Sequence, residues 1–325
     1  ADVDNVRNLA AYIGSYGLSF WAVLLASLVP LARISRRALL SRVALALLLL
    51  APVLLLPGTE AIPTGQSVTL RLVQPNMAQS IKIGPVAREI VQTDLVVDLL
   101  AERADIRQLI AASLPGKAVL VTGAIRREGA QFFNSVQVLN HEGDVVAAYD
   151  KAHLVPFGEY IPFRDFLPFD PMAGGVDFSE GPGPRTLQLD GLPSFSPLIC
   201  YEAIFPAQVV DQQKRPDLLI NITNDGWYGQ THGPAQHLEI ARLRAVEEGI
   251  PLIRVANTGF TAVVDSHGRV AALLPPFQKA VLDFNLKLIT GRKTVYASYA
   301  DFPLLIILVT LIFVCRLCAH RAVKH

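Results

Sequence analysis

The chain has 325 residues, 51% of them hydrophobic and 18% charged, with a mean hydropathy of +0.38; this is too apolar for an ordinary soluble protein and excludes disorder and collagen-like structure. Lys and Arg number 29 against 28 Asp and Glu, a formal charge of +1 without a long basic block, so no nucleic-acid partner is expected. Three cysteines, Cys200, Cys315 and Cys318, form no disulfide framework.

In chain order, the first elements are two nearly uncharged runs, Leu18 to Leu31 and Val43 to Leu56. Extended to 9–32 and 39–57, each supplies the roughly 20 apolar residues needed to cross a bilayer core. Buried core helices are the alternative reading of the same runs. The first does not read as a signal peptide, because it starts with Asp2 and Asp4 and lacks a basic start and an A-x-A cleavage site. The chain begins at Ala1 without a methionine, which reads as a piece of a longer membrane protein with helices upstream. Between the runs lie Arg33, Arg36, Arg37 and Arg42, and Arg316, His320, Arg321 and Lys324 follow a third apolar run, 300–318. Basic clusters sit on the cytoplasmic side, so the long segment between the second and third runs is expected to face away from the cytoplasm.

That segment alternates short strands and helices. Strands are predicted at 68–74, 95–98, 118–124, 135–139, 195–200, 218–223, 252–256 and 261–265, rich in Val, Ile and Leu and bounded by Gly, Pro, Asn or Asp. Helices are predicted at 86–93, 103–113 and 235–248; in the last, Leu238, Ala241, Ala245 and Val246 form the apolar stripe, and Arg242, Arg244, Glu247 and Glu248 are polar. An α/β or mixed sheet covered by helices follows. Residues 168–197, dense in Pro and Gly, read as long loops.

Cys200 ends an apolar strand at a strand-to-turn junction, a place that suits a nucleophile, although a lone strand-end cysteine also serves as a small buried hydrophobe. Upstream, the stretch Tyr149 to Pro162 (YDKAHLVPFGEYIP) brings Lys151, His153 and Glu159 close together. With LICYEAIFP around Cys200 and NDGWYG at 224–229, these blocks resemble the carbon-nitrogen hydrolase (nitrilase) superfamily and, within it, its membrane branch, the apolipoprotein N-acyltransferase family. The resemblance covers nearly the whole chain. NLAAYIGSYGLSFW, RLVQPNMAQS, the stretch from His237 to Val270 and TVYASYADFPLL add to it in the family's order.

The resemblance implies a nitrilase-like α-β-β-α sandwich flanked by transmembrane helices: 1–64 with two spans and a basic cytoplasmic loop, 65–294 as a periplasmic carbon-nitrogen hydrolase domain, and 295–325 as a last span with a short basic tail. It implies an enzyme of the bacterial inner membrane, crossing it several times, that takes an acyl chain from a phospholipid as a thioester on Cys200 and passes it to the N-terminal S-diacylglyceryl cysteine of a lipoprotein, without metal or cofactor. Cys200 matches the nucleophile, Lys151 the lysine that stabilises the oxyanion, and Glu159 and Glu202 additional active-site carboxylates. Tyr201, Asn224 and Trp227 are expected to line the pocket, Trp227 serving equally well as a loop anchor. The family's general base lies in a Trp-Pro-Glu stretch after a strand of the type DLVV; here Asp94-Leu-Val-Val97 is followed by Asp98-Leu-Leu-Ala-Glu102, and that stretch is missing. Glu102 or Asp98 is the candidate replacement.

Two other readings stay open. One is a catalytically impaired relative that serves as a membrane component, such as a conjugal-transfer protein; the other is a nitrilase-like amidase. His232, His237 and Glu239 fit no zinc spacing and read as loop and helix-surface residues. The Phe- and Pro-rich stretch 156–171 reads either as an interfacial loop or as core.

Overall fold

A computed structural model describes residues 3–27, 61–77, 100–163, 166, 177–291 and 293–322. Helix α1 (Val3–Asn8) leads into α2 (Ala10–Ser27), which breaks at Gly14, where φ is 66° and ψ −178°. Strand β1 (Ala61–Gln74) pairs antiparallel with the last strand, β10 (Ala280–Gly291), from Ala61 opposite Gly291 to Gln74 opposite Ala280. After α3 (Ala104–Ser113), strands β2 (Leu120–Glu128), β3 (Gln131–Leu139) and β4 (Val145–Asp150) form an antiparallel meander.

A five-stranded sheet follows in the order β5 (Phe195–Ile199), β6 (Leu218–Thr223), β7 (Leu252–Ala256), β8 (Thr261–Val264) and β9 (Val270–Leu274). The first three are parallel and the last two antiparallel. A parallel pair needs a crossover, and α4 (Gly233–Glu248) supplies it between β6 and β7. The free edge of β5 is covered by Leu187, whose N–H and carbonyl pair with Phe195 at 2.8 and 3.0 Å.

Period-two alternation divides the side chains into two cores. Phe195, Ile199, Leu218 and Ile253 meet Val136, Val138 and Tyr149 of the meander and Leu72, Leu286 and Leu288 of the β1–β10 pair. On the opposite face, Leu198, Leu219, Leu252, Ala262 and Val264 meet Leu238, Ala241 and Ala245 of α4. Sheet therefore packs on sheet with a helix outside, the layering expected of the α/β sandwich. Helix α3 is held to the β3–β4 turn, with Arg107 Nε 2.8 Å from Gly143 O and Gln108 Nε2 2.9 Å from Glu142 O.

Several boundaries differ from the sequence expectation. Strands β4, β9 and β10 were not anticipated. The most regular is β10, where Leu282, Phe284, Leu286 and Leu288 turn inward while Val281, Asp283, Asn285 and Lys287 are exposed. Helix α4 also departs: Arg244, Glu247 and Glu248, read as its polar side, are buried at 1%, 0% and 1%. Arg244 and Glu247 reach Ser15 of α2, Glu248 pairs with Arg215 at 2.8 Å, and α5 (Val295–Tyr299) packs against the helix as well, so both sides of α4 are covered.

The predicted strand 95–98, the helix 86–93 and the apolar run 39–57 lie outside the described residues. Of the other runs, the first is helical over Ala10–Ser27, the one described helix long and apolar enough to cross a membrane, with a mean hydropathy of 1.3. The third forms α6 (Phe302–Ala322), whose apolar stretch is Phe302–Phe313. It starts later than expected because Ala300 takes a φ of 46°, which a helix does not accommodate, and separates α5 from α6.

Candidate active site

The parallel strands β5 and β6 end side by side, and the crevice beyond the carboxyl ends of such strands is where α/β sheets place their ligands. Cys200 follows β5 directly and opens a 3-10 turn, Cys200–Ile204. Its φ is 51°, the left-handed region that a residue with a Cβ seldom occupies. The cysteine is half-buried.

Lys151 follows β4 and is 1% exposed, an unusual place for an ammonium unless it is paired. Its partner is Glu159, with Nζ 2.7 Å from Oε2. The Val155 N–H donates to the same oxygen at 2.8 Å, and Asn134 Nδ2 on β3 donates to the other at 2.6 Å. The Lys151–Glu159 loop thus folds back on itself, and the carboxylate is fully bound. Lys151 Nζ also stands 5.1 Å from the centre of the Tyr201 ring, which brings the ammonium beside the residue that follows Cys200. The Tyr201 hydroxyl donates to Leu154 O at 2.8 Å, and burial, then the charge of Glu159, push its pKa up to about 12.

Glu202 is 2% exposed and accepts four hydrogen bonds. Oε1 receives the Tyr149 hydroxyl at 2.9 Å and the N–H groups of Ala152 and His153 at 2.8 and 3.1 Å; Oε2 receives Ile199 N–H at 2.7 Å. Burial raises the pKa of this carboxyl against those four donors. Glu202 therefore ties the strand that ends at Cys200 to the loop carrying Lys151, acting as a brace between two chain segments. His153 stacks on Phe205 at 4.5 Å beneath the same turn.

Asn224 Oδ1 accepts from Gly226 N–H at 3.3 Å and from Asn257 Nδ2 at 3.0 Å, which fixes the loop after β6. Trp227, in the 3-10 turn Asp225–Tyr228, is 47% exposed. Glu102 stands apart from the braced loop: it is half-exposed and binds Arg127 Nη2 through both oxygens at 3.0 Å. A base role for Glu102 requires that pair to open. Asp98 lies outside the described residues.

Below Cys200 lies a buried polar cluster that the sequence reading did not assemble. Asn221, Asp225 and Arg254 are each 0% exposed, and His237 is 3%. Arg254 Nη2 donates to Asp225 Oδ2 at 2.7 Å, and His237 Nδ1 is 2.9 Å from Asp225 Oδ1. Burial opposes the Asp225 charge, but the His237 hydrogen bond and the Arg254 charge outweigh it and hold its pKa below the usual range. Burial depresses His237. The legible signal was Arg254 itself, an arginine in the middle of the strand Leu-Ile-Arg-Val-Ala. His237 is thus a core histidine rather than a surface one, and Glu239 pairs outside with Arg242. Among the described residues no group of three His, Cys, Asp or Glu side chains is placed to hold a metal ion.

The carbon-nitrogen hydrolase family profile matches residues 89–295, which contain Lys151, Glu159, Cys200 and Glu202. The chain belongs to the carbon-nitrogen hydrolase family. It is 38% identical over 294 residues to the apolipoprotein N-acyltransferase of Bradyrhizobium diazoefficiens, covering 78% of this chain and 54% of that protein. It is 36% identical to the protein of the same name from Rhodopseudomonas palustris, over 73% of this chain and 51% of the relative. The chain thus spans about half the length of the curated relatives it matches. An amidase from Nesterenkonia sp. is a similar solved structure, with 21% identity, a TM-score of 0.45, and coverage of 68% of this chain and 90% of that one.

Proposed function

We propose that this carbon-nitrogen hydrolase chain carries the catalytic part of an apolipoprotein N-acyltransferase. The observation that carries the reading is the buried Lys151 ammonium, held by Glu159 at 2.7 Å and set against the residue that follows a strand-end cysteine. A cation fixed in a dry site stabilises negative charge developing on an acyl oxygen. In the proposed reaction, the Cys200 sulfur attacks the ester carbonyl of a phospholipid and the electron pair moves to the carbonyl oxygen beside Lys151. Collapse expels the lysophospholipid alcohol, which takes up the thiol proton, and leaves a thioester. The α-amino group of the acceptor's N-terminal cysteine then attacks the thioester, forming the amide and returning the thiol. Glu159 orients Lys151, Glu202 braces the turn, and Tyr201, Asn224 and Trp227 line the pocket. The names of the relatives support the acceptor class.

The membrane placement belongs to the same proposal. Residues 9–32, 39–57 and 300–318 span the inner membrane, and 65–294 form the periplasmic domain. The apolar helix Ala10–Ser27 and the basic clusters at 33–42 and 316–324 support this arrangement. Both substrates are lipids, so a tethered domain searches in two dimensions.

The absent Trp-Pro-Glu stretch favours a second reading, an impaired relative that keeps the fold as a membrane component. Purified protein incubated with phospholipid distinguishes the two by intact mass. The acyltransferase gives an acyl-sized adduct that hydroxylamine removes and that Cys200→Ala abolishes; a folded sample with unmodified mass supports the impaired relative. Glu102→Gln then tests the base: loss of the adduct assigns Glu102, and retention removes it from the reaction.

A further inference from the structure

We propose that Asn221 is a positioning residue for the nucleophile: its side-chain amide holds the carbonyl of Cys200 and thereby fixes the left-handed turn from which the thiol is presented. Cys200 sits at φ 51° without the freedom of a glycine, and such a conformation persists only when its surroundings hold it there. The turn is held on two sides. Glu202 binds the backbone N–H of Ile199, before the cysteine, at 2.7 Å. Asn221 Nδ2 donates to Cys200 O and to Leu198 O, both at 3.1 Å. This one amide thus grips the carbonyls on either side of Ile199, the last residue of β5.

The orientation of the Asn221 amide is determined by its neighbours. Its Oδ1 accepts from Arg254 Nη1, and Arg254 is itself anchored on Asp225. A flipped amide turns its oxygen toward two carbonyls and its NH2 toward a guanidinium, leaving every partner mismatched. The guanidinium therefore acts on Cys200 through Asn221, and the full burial of both residues keeps water from substituting. Without the Nδ2 donor, Cys200 is free to relax to negative φ, which swings its Cβ–Sγ bond to a new direction.

The inference rests on the reading of Cys200 as the nucleophile, and its test needs no acyl donor. The probe is iodoacetamide, whose carbon is captured by the Cys200 sulfur as iodide leaves. The rate of carboxamidomethylation at Cys200 is followed by peptide mass in the intact detergent-solubilised protein and divided by the rate in the same variant unfolded in guanidinium. Asn221→Asp keeps the shape and the Arg254 partner but has no N–H to donate. It is expected to react roughly 10–100-fold more slowly than wild type, the usual consequence of a reacting group misplaced by about 1 Å.

Ser196→Ala controls for general loosening. It removes another buried hydrogen bond of β5, to Val209 O at 2.8 Å, and is expected to lower the unfolding temperature while leaving the Cys200 rate within about twofold, because it leaves both grips on the turn intact. A rate in Asn221→Asp within twofold of wild type overturns the proposal. So does a slowing in Ser196→Ala that matches it. If wild type forms no thioester but Asn221→Asp still slows alkylation, the acyl-transfer reading falls and the positioning role stands.

Discussion

At the scale of single residues, the site is organised by charges that have left water. Lys151 and Glu159 are 1% and 10% exposed at the side chain and 2.7 Å apart. Breaking such a pair by removing one partner leaves a stranded ion and costs about 3–5 kcal/mol, more than the pair itself contributes. Lys151→Met is therefore expected to destabilise the protein by that order, while Lys151→Met combined with Glu159→Gln recovers part of the loss, because no ion is then left stranded and the single amide oxygen keeps one of the two bonds that Asn134 and Val155 donate. Chemical unfolding of the two variants checks the order; a double variant less stable than the single one contradicts it. Both variants are expected to lack the acyl adduct, since neither has the cation. Cys200, Lys151, Glu159 and Glu202 were legible in the sequence because two short motifs carry them. Asn134, Tyr149 and Asn221 were not, because each acts through a partner that only strand pairing brings near.

At the scale of elements, the telling feature is the junction of α2 and α4. Gly14 breaks α2 at φ 66°, and a Cβ there falls 2.1 Å from Cε2 of Tyr296 in α5. The break exposes the N–H of Ser15, which donates to Glu247 Oε1 at 2.7 Å, while Arg244 reaches the same oxygen and the Ser15 hydroxyl at 3.0 Å. Gly14→Ala meets both the strained φ and the tyrosine ring, so it is expected to lower the unfolding temperature by several degrees, about 1–3 kcal/mol. An unchanged melting curve contradicts that packing. Burial, against the charge of Arg244, pushes Glu247 up from 4.5 to about 7. The folded state thus prefers the neutral acid; this contribution is complete below about 4.5 and is lost as pH rises through about 7. Glu247→Gln, neutral at every pH, is expected to flatten the dependence of unfolding temperature on pH across that window and to exceed wild type on its alkaline side. Equal pH slopes in the two proteins contradict it. The helix itself was readable from its apolar stripe, but the burial of Arg244 and Glu247 was not, because Ser15, which they meet, lies more than 200 residues earlier in the chain.

At the scale of the whole molecule, the pairing of β1 with β10 decides how the domain is attached. Ala61 opposite Gly291 brings the two ends of the sandwich side by side, so the segments before and after it leave from one place. Helix α2 touches both α5 and α6, and α6 exposes Phe302, Ile306, Val309 and Phe313 at 53–63%, an apolar surface that water does not favour. The sandwich was readable in outline from its strands, whereas this closure was not, because β10 was unread and period-two patterns carry no record of which strand they meet. The proposed orientation, with basic segments inside and the sandwich outside, rests on the placement of the basic clusters and is open to a direct measurement. A membrane-impermeant maleimide applied to cells with a permeabilised outer membrane is expected to label Lys117→Cys, which is exposed on the sandwich. Ala38→Cys, between the arginines of the first basic cluster, is expected to react only after the inner membrane is broken. Labelling of Ala38→Cys in intact cells with protection of Lys117→Cys inverts the topology. That outcome also removes the periplasmic lipoprotein as acceptor, because Cys200 then faces the cytoplasm.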